Sequence, residues 1–254
     1  MQSNNWALVL GVSSGFGAAT ARELAKAGYN IAGVHLDRRE TLPLAQQVID
    51  DTQALGRETL VFNGNAADAD QRATVIAALS GKNVQVLFHS LAFGSLKLMV
   101  GPEAATQRQI EMTADVMGHS LIYWARDLVH HGLMHQGGRI FAMTSEGGTR
   151  AIPQYGPVSA AKAVLEAHIR QLAVELAPLG ITANALLAGT TDTPALRKIP
   201  GHERLLEYAL ARNPHKRLTT PEDIARAVVS LASPNTAWIT GNTIRVDGGE
   251  GIAG

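Results

Sequence analysis

The sequence predicts an α/β protein, a doubly wound parallel sheet of seven strands with helices on both faces. Three observations predict it. Short apolar runs of strand type alternate with longer segments of helical spacing almost throughout. Glycines cluster where the first apolar run gives way to the first helical segment. No Pro/Ser-rich or charged linker divides the 254 residues, so a single domain over 1–254 is expected. Alternation of this kind implies right-handed crossovers, and each strand then has to be buried on both sides.

The apolar runs place strands at Trp6–Leu10, Asn30–Leu36, Thr59–Phe62, Val84–His89, Arg139–Met143, Ile181–Leu187 and Thr243–Val246. Helical spacing falls between them, at Ala18–Ala27, Pro43–Leu55, Gln71–Leu79, Gln107–Leu133, Pro157–Ala177 and Pro221–Ala232. Ala18–Ala27 has strong intrinsic helix propensity. Pro157 follows Gly156 at a helix start, where a missing N–H costs nothing. Thr190–Leu218 breaks the rhythm, with Pro194, Pro200, Gly201 and Pro214 around a short amphipathic piece, Glu203–Ala211. It reads as an insertion over the site, at about residues 190–218.

Lys and Arg number 22, and so do Asp and Glu, so the chain has no field that would favour nucleic acid or an anionic membrane. There is no cysteine, which excludes disulfides and thiolate metal sites. The start, Met1 to Trp6, is polar, and no apolar run is long enough to span a bilayer, which makes the cytoplasm the default expectation. The nine histidines form no ligand spacing with nearby carboxylates, so no metal is expected.

The first strand runs into Gly11-Val12-Ser13-Ser14-Gly15-Phe16-Gly17. A glycine-rich turn between strand and helix lets backbone approach a pyrophosphate, and the helix N-terminus offers free N–H groups to its charge. This predicts a Rossmann-type dinucleotide cradle. The cofactor type is read at the end of the second strand, where His35 is followed by Leu36-Asp37-Arg38-Arg39. An acidic side chain there binds both ribose hydroxyls, whereas Arg clamps a 2′-phosphate. NADPH held by Arg38 or Arg39 is preferred, and Asp37 keeps NADH open.

The stretch from Thr144 to Lys162 follows the fifth strand directly and is the most informative in the chain. Tyr155 stands at a helix mouth, and Lys162 lies in the second turn. A free phenol has a pKa near 10, and a cation at ~4 Å attracts its anion by about 4 kcal/mol at an effective dielectric of ~20. Lys162 is thereby expected to lower the Tyr155 pKa.

The spacing Gly-x-x-x-Gly-x-Gly resembles that of the short-chain dehydrogenase/reductase superfamily, and the resemblance runs on through Asn65-Ala66, Ser90-Leu91-Ala92 and Gly241–Gly249. It implies that Ser13, Ser14, Phe16, Asn65, Ala66, Ser90, Leu91 and Ala92 line the dinucleotide. Most of the superfamily carries Tyr four residues before Lys, where this chain has Val158. Tyr155 is seven residues before Lys162, a Tyr-x6-Lys spacing similar to that of enoyl-[acyl-carrier-protein] reductases. His89–Gly94 and Arg150–Tyr155 resemble the same branch. Met117 aligns where keto-reducing members place an asparagine. Ser145 stands where many enoyl reductases carry a second tyrosine, which is similar to the NADPH-using branch.

The resemblance implies that Tyr155 donates to an enolate, that Lys162 binds the nicotinamide ribose, and that Ser145 adds a hydrogen bond or supports Tyr155. It also implies that Thr191 and Thr193 hold the carboxamide and a phosphate. The substrate would be an acyl thioester, with acyl carrier protein as the expected partner, and the assembly a homotetramer. A carbonyl or dienoyl-thioester reductase and a non-catalytic dinucleotide sensor are the competing readings.

Overall fold

A computed structural model describes residues 5–253; Met1–Asn4 and Gly254, which fall within the expected single domain and its polar start, lie outside the described residues. Seven parallel strands form one sheet in the order β3-β2-β1-β4-β5-β6-β7. They are β1 Asn5–Leu10, β2 Asn30–His35, β3 Thr59–Asn63, β4 Asn83–His89, β5 Arg139–Thr144, β6 Thr182–Ala188 and β7 Thr243–Val246. Each expected strand is present, with ends moved by one residue or, for β7, not at all. The order reverses between β1 and β4, and the carboxyl ends of these two strands therefore open a crevice at the switch point.

Side-chain alternation builds a core on each face. Trp6, Leu8 and Leu10 of β1 point one way and pack with Val75, Trp124, Leu165 and Ile169. Ala7 and Val9 point the other way, toward Ala21, Leu24, Ile224 and Val228. Helices α3 (Ala69–Ala78), α5 (Ser120–His130) and α6 (Gly156–Glu175) cover the first face. The second is covered by α1 (Gly15–Lys26), α2 (Leu42–Ala54) and α8 (Pro221–Leu231). Both faces of a parallel sheet are thus dry, as its nearly continuous apolar strands require.

The long helix expected at Gln107–Leu133 is three pieces: α4 (Gln107–Ala114), a π-helical turn (Asp115–His119) and α5. Apolar spacing runs through all three, so periodicity alone could not reveal the wider turn. It lies against α6 and presents Val116 and Met117 to that helix's first turns. The insertion holds α7 (His202–Arg212), close to the expected amphipathic piece. Among the described residues no helix is long and apolar enough to cross a membrane.

Candidate active site

The glycine turn has the shape a pyrophosphate needs. Gly11 has φ +88°, and a Cβ on Gly17 would stand 1.9 Å from the Gly11 carbonyl oxygen. No side chain fits there. Gly15 opens α1, and Ser14 caps it without a side-chain hydrogen bond, so the first-turn N–H groups face the crevice without an internal side-chain acceptor. Ser13 lies beside this turn, and Phe16 packs inward against the core. The cradle that a Cβ would fill and the helix N-terminus both fit a dinucleotide pyrophosphate.

The rim is built from the carboxyl ends of neighbouring strands. Ser90 donates its N–H to the Leu10 carbonyl, and a Cβ on Gly11 would lie 2.5 Å from the Ser90 carbonyl oxygen, so Ser90, Leu91 and Ala92 pass directly over the turn. Asn65 accepts from the Ala67 N–H at 3.0 Å, and the buried Ala66 gives its carbonyl to Trp124 Nε1 at 2.8 Å. Thr191 and Thr193 are both buried, and the Thr193 methyl would lie 3.7 Å from a Cβ on Gly15. The predicted cofactor residues therefore converge on one crevice, with two exceptions in orientation: Arg38 and Arg39 are exposed and make no side-chain hydrogen bond or ion pair among the described residues.

Asp37 is anchored instead. Its N–H bonds Asn63 Oδ1 and its carbonyl accepts from Asn63 Nδ2, each at 3.0 Å. Its carboxylate lies 2.8 Å from His35 Nδ1 and also accepts from Ser13 and Thr41. Burial works to raise its pKa, but these three donors prevail and hold the carboxyl below the usual range.

At the reacting centre, Tyr155 is the N-cap of α6 and is 9% exposed. Its hydroxyl donates to Ser145 Oγ at 3.3 Å, and Ser145 Oγ also accepts from the Gly147 N–H at 3.2 Å. Val158, where the commoner tyrosine would be, is buried in the same apolar cluster. Lys162 is buried one turn deeper and donates to the Met143 carbonyl at 2.8 Å.

The expected lowering of the Tyr155 pKa by Lys162 is corrected by this arrangement. Burial raises the phenol, opposed only by the Ser145 hydrogen bond, and the ammonium is turned toward Met143. Tyr155 is thus a neutral hydrogen-bond donor at physiological pH, which suits it to donate rather than to accept a proton. Burial also lowers Lys162 to about 8, while the carboxylate of Glu166, one turn on, works to keep it charged. Glu166 is itself fixed by a 2.6 Å hydrogen bond from Thr144 Oγ1.

His89, which ends β4, is fully buried. Ser120 Oγ donates to the Val116 carbonyl at 2.7 Å, so it accepts from His89 Nε2 at 2.8 Å, which assigns the proton to Nε2 and leaves Nδ1 without a partner among the described residues. Burial, with the nearby Lys162 charge, lowers this imidazole to about 3. Trp238 is 98% exposed, so it is no core residue. Two arrangements were not foreseen: His119 and His168 meet across the π-helical turn and α6 at 3.1 Å, and a buried Glu250 reaches the loop after β6. Neither has a spacing motif, because each pairs residues 49 or more positions apart.

The chain matches the family model described as enoyl-(acyl carrier protein) reductase over residues 11–250. It is 31% identical to the NADH enoyl-[acyl-carrier-protein] reductase of Synechocystis sp., covering 99% of this chain and 98% of that one. It is 30% identical to the 1-cyclohexenylcarbonyl-CoA reductase of Streptomyces collinus, over 96% and 86% of the two chains. The structure of an NADH enoyl-[acyl-carrier-protein] reductase from Aquifex aeolicus superposes with a TM-score of 0.87 at 25% identity, covering 100% of this chain and 98% of that one. With its cradle, crevice and buried Tyr155 above a seven-stranded parallel sheet, the chain belongs to the enoyl-(acyl carrier protein) reductase family of the short-chain dehydrogenase/reductases and is an NAD(P)H-dependent oxidoreductase.

Proposed function

We propose that the protein reduces the trans-2 double bond of an enoyl thioester, carried by acyl carrier protein, with NADPH, in fatty acid synthesis. The observation that carries this reading is the neutral Tyr155 hydroxyl held over an apolar wall, with Val158 in the position of the commoner tyrosine. Val116, Met117, Leu96, Ile152 and Ile199 surround it, and no amide side chain stands where a keto reductase would build its proton relay.

A dinucleotide held in the cradle would supply a hydride to the β-carbon of the enoyl thioester, leaving an enolate. Tyr155 donates a hydrogen bond to the enolate oxygen as charge develops there, a contact stronger in the transition state than in the ground state. Ser145 holds the Tyr155 hydroxyl in place. Lys162 would hold the nicotinamide ribose. Ile199 and α7 close over the acyl chain and exclude water. The enolate then takes a proton from solvent water at the α-carbon, which completes the saturated thioester.

Arg38 and Arg39 support NADPH, since both follow β2, are exposed and are uncommitted, whereas Asp37 spends its carboxylate on three protein donors. Assembly into a homotetramer belongs to the same reading, supported by the exposed Val174 and Trp238. Sedimentation checks it.

The deciding assay offers purified protein crotonyl thioesters of acyl carrier protein and of coenzyme A, acetoacetyl thioester, a dienoyl thioester and simple ketones, each with NADPH and NADH. Oxidation of NADPH with the enoyl thioester is expected. Ketone or dienoyl reduction without enoyl turnover would overturn the substrate, binding without any turnover would leave a dinucleotide sensor, and a preference for NADH would overturn the nucleotide.

A further inference from the structure

The segment after β7 turns back on itself at Gly248 and Gly249, with φ +60° and +85°, and Asp247 secures the turn by accepting from the N–H groups of Gly249 and Gly251 at 2.9 Å each. The turn buries Glu250, 6% exposed, beneath the loop that leaves β6. Both carboxylate oxygens of Glu250 lie 3.1 to 3.2 Å from the Thr190 N–H, and Oε1 accepts from Thr190 Oγ1 at 2.7 Å. No cation lies within ion-pair distance of it among the described residues. A buried carboxylate without a cation is costly, so its neighbours have to be donors held in place.

The same segment grips the far end of the insertion. Arg212, the last residue of α7, donates to the Ala253 carbonyl at 2.6 Å and the Gly251 carbonyl at 3.3 Å. Asn213 donates to the Asp247 carbonyl at 3.0 Å. A polar cavity of about 410 Å³ lined by Asn213, His215, Asp247 and Gly249 lies alongside, so these hydrogen bonds rather than close packing hold the segment there.

We infer that Glu250 is a positioning residue: through Thr190 it sets the Gly189–Thr193 loop, and with Arg212 it couples that loop to α7, so that engagement of the nicotinamide half and closure over the substrate occur together. The inference rests on the placement of Thr191 and Thr193 at the cofactor in the reading above. Glu250 touches neither substrate nor cofactor, and it acts by removing freedom from the loop that does.

Two measurements on the full chain test it, on wild type, Glu250→Gln, Thr190→Val and Arg212→Ala. The first is binding of NADPH against 2′-phospho-ADP-ribose, which lacks the nicotinamide. Glu250→Gln is expected to weaken NADPH about tenfold, the worth of one charge-assisted hydrogen bond, and to leave the fragment unchanged. Thr190→Val is expected to follow in the same direction by less, since its N–H remains.

The second is amide hydrogen exchange of the ligand-free protein, which does not depend on cofactor or turnover. Exchange in Gly189–Thr193 and in α7 is expected to quicken in Glu250→Gln and in Arg212→Ala, with β4 unchanged. Equal weakening of dinucleotide and fragment would make Glu250 merely structural and overturn the inference. Unchanged exchange in either segment would overturn it too, whatever the cofactor proves to be. Failure of the wild-type protein to bind NADPH or NADH would overturn the cofactor reading instead, and the exchange data would still decide the clamp.

Discussion

Replacing Tyr155 by Phe removes one oxygen and leaves the ring in place. The ring packs in a cluster with Val116, Met117, Val158 and Ala161, and that contact survives. The lost hydrogen bond to Ser145 is 3.3 Å long, at the weak end of its class, and Ser145 keeps its bond from the Gly147 N–H. The fold should therefore lose less than about 1 kcal/mol, and Tm should fall by no more than about 4 °C for a chain of this size. Catalysis should respond on another scale. Removing one preorganised donor to a developing oxyanion costs about 3 to 4 kcal/mol, or roughly 10² to 10³ in kcat. The assay is steady-state oxidation of NADPH with crotonyl thioester, beside a thermal melt of the same preparation. Ser145→Ala is the companion, expected to lower kcat by about tenfold at most, since it positions the donor without contacting the oxyanion. A Tyr155→Phe enzyme with kcat near that of wild type would refute the donor role. A large drop in Tm parallel to the drop in kcat would refute it equally, because the loss would then be one of structure.

Arg38→Ala combined with Arg39→Ala is expected to weaken NADPH by tenfold or more while NADH changes little, since only the former has a phosphate to lose; calorimetric titration with both nucleotides checks it. Gly17→Ala forces a Cβ to 1.9 Å from the Gly11 carbonyl and should abolish dinucleotide binding, read by the same titration. Lys162, at about 8 instead of an ordinary 10.5, binds fewer protons when folded between those values, so its contribution to stability rises with pH across that window. Activity should fall above pH 8 as the ammonium beside the ribose discharges, while Tm does not fall with it; parallel losses would sink the assignment. His89, at about 3 instead of 6.5, stays neutral when folded while the unfolded chain protonates, so its stability contribution is full above pH 6.5 and is lost on acidification toward 3. The slope approaches about 1.4 kcal/mol per pH unit, and His89→Gln should flatten an acid titration of Tm between pH 6 and 4.

The central strands were legible because each is an apolar run shorter than a helix and largely buried on both faces, from Ala7–Leu10 in β1 to Ala183–Leu187 in β6, whereas the edge strands β3 and β7 are only partly buried. The glycine turn was legible because strand, glycines and helix follow each other without a gap. The link from Tyr155 to Lys162 was visible as a spacing, but the direction in which Lys162 points was not. It depends on the Met143 carbonyl at the end of β5, which only the folded sheet brings beneath α6. Asp37 and the pair Arg38 and Arg39 were read as competing signals for the cofactor, and the contact that ties Asp37 to His35 was out of reach for the same reason. Glu250 carried no signal because its partner is 60 residues away and the two glycines before it explained the turn by themselves.

The π-helical turn at Asp115–His119 has a consequence for what this chain can tolerate. Regular winding advances 100° per residue, and the wide turn takes up one residue beyond regular winding without rotating the halves on either side. One continuous length of backbone thus keeps two faces on two surroundings. Met112 and Met117 look toward Tyr155, and Trp124 and Leu128 look into the sheet. Deleting a single amino acid between Ala114 and Ser120 would restore even winding with both halves near their present phase, whereas a deletion in the regular stretch on either side would turn one half by about 100° against the other. Trp124 or Met117 would then leave its place. Substitutions along this helix should be absorbed more readily than a change in the length of its regular stretches, and a scan of one-residue deletions should show soluble expression best retained across these five positions.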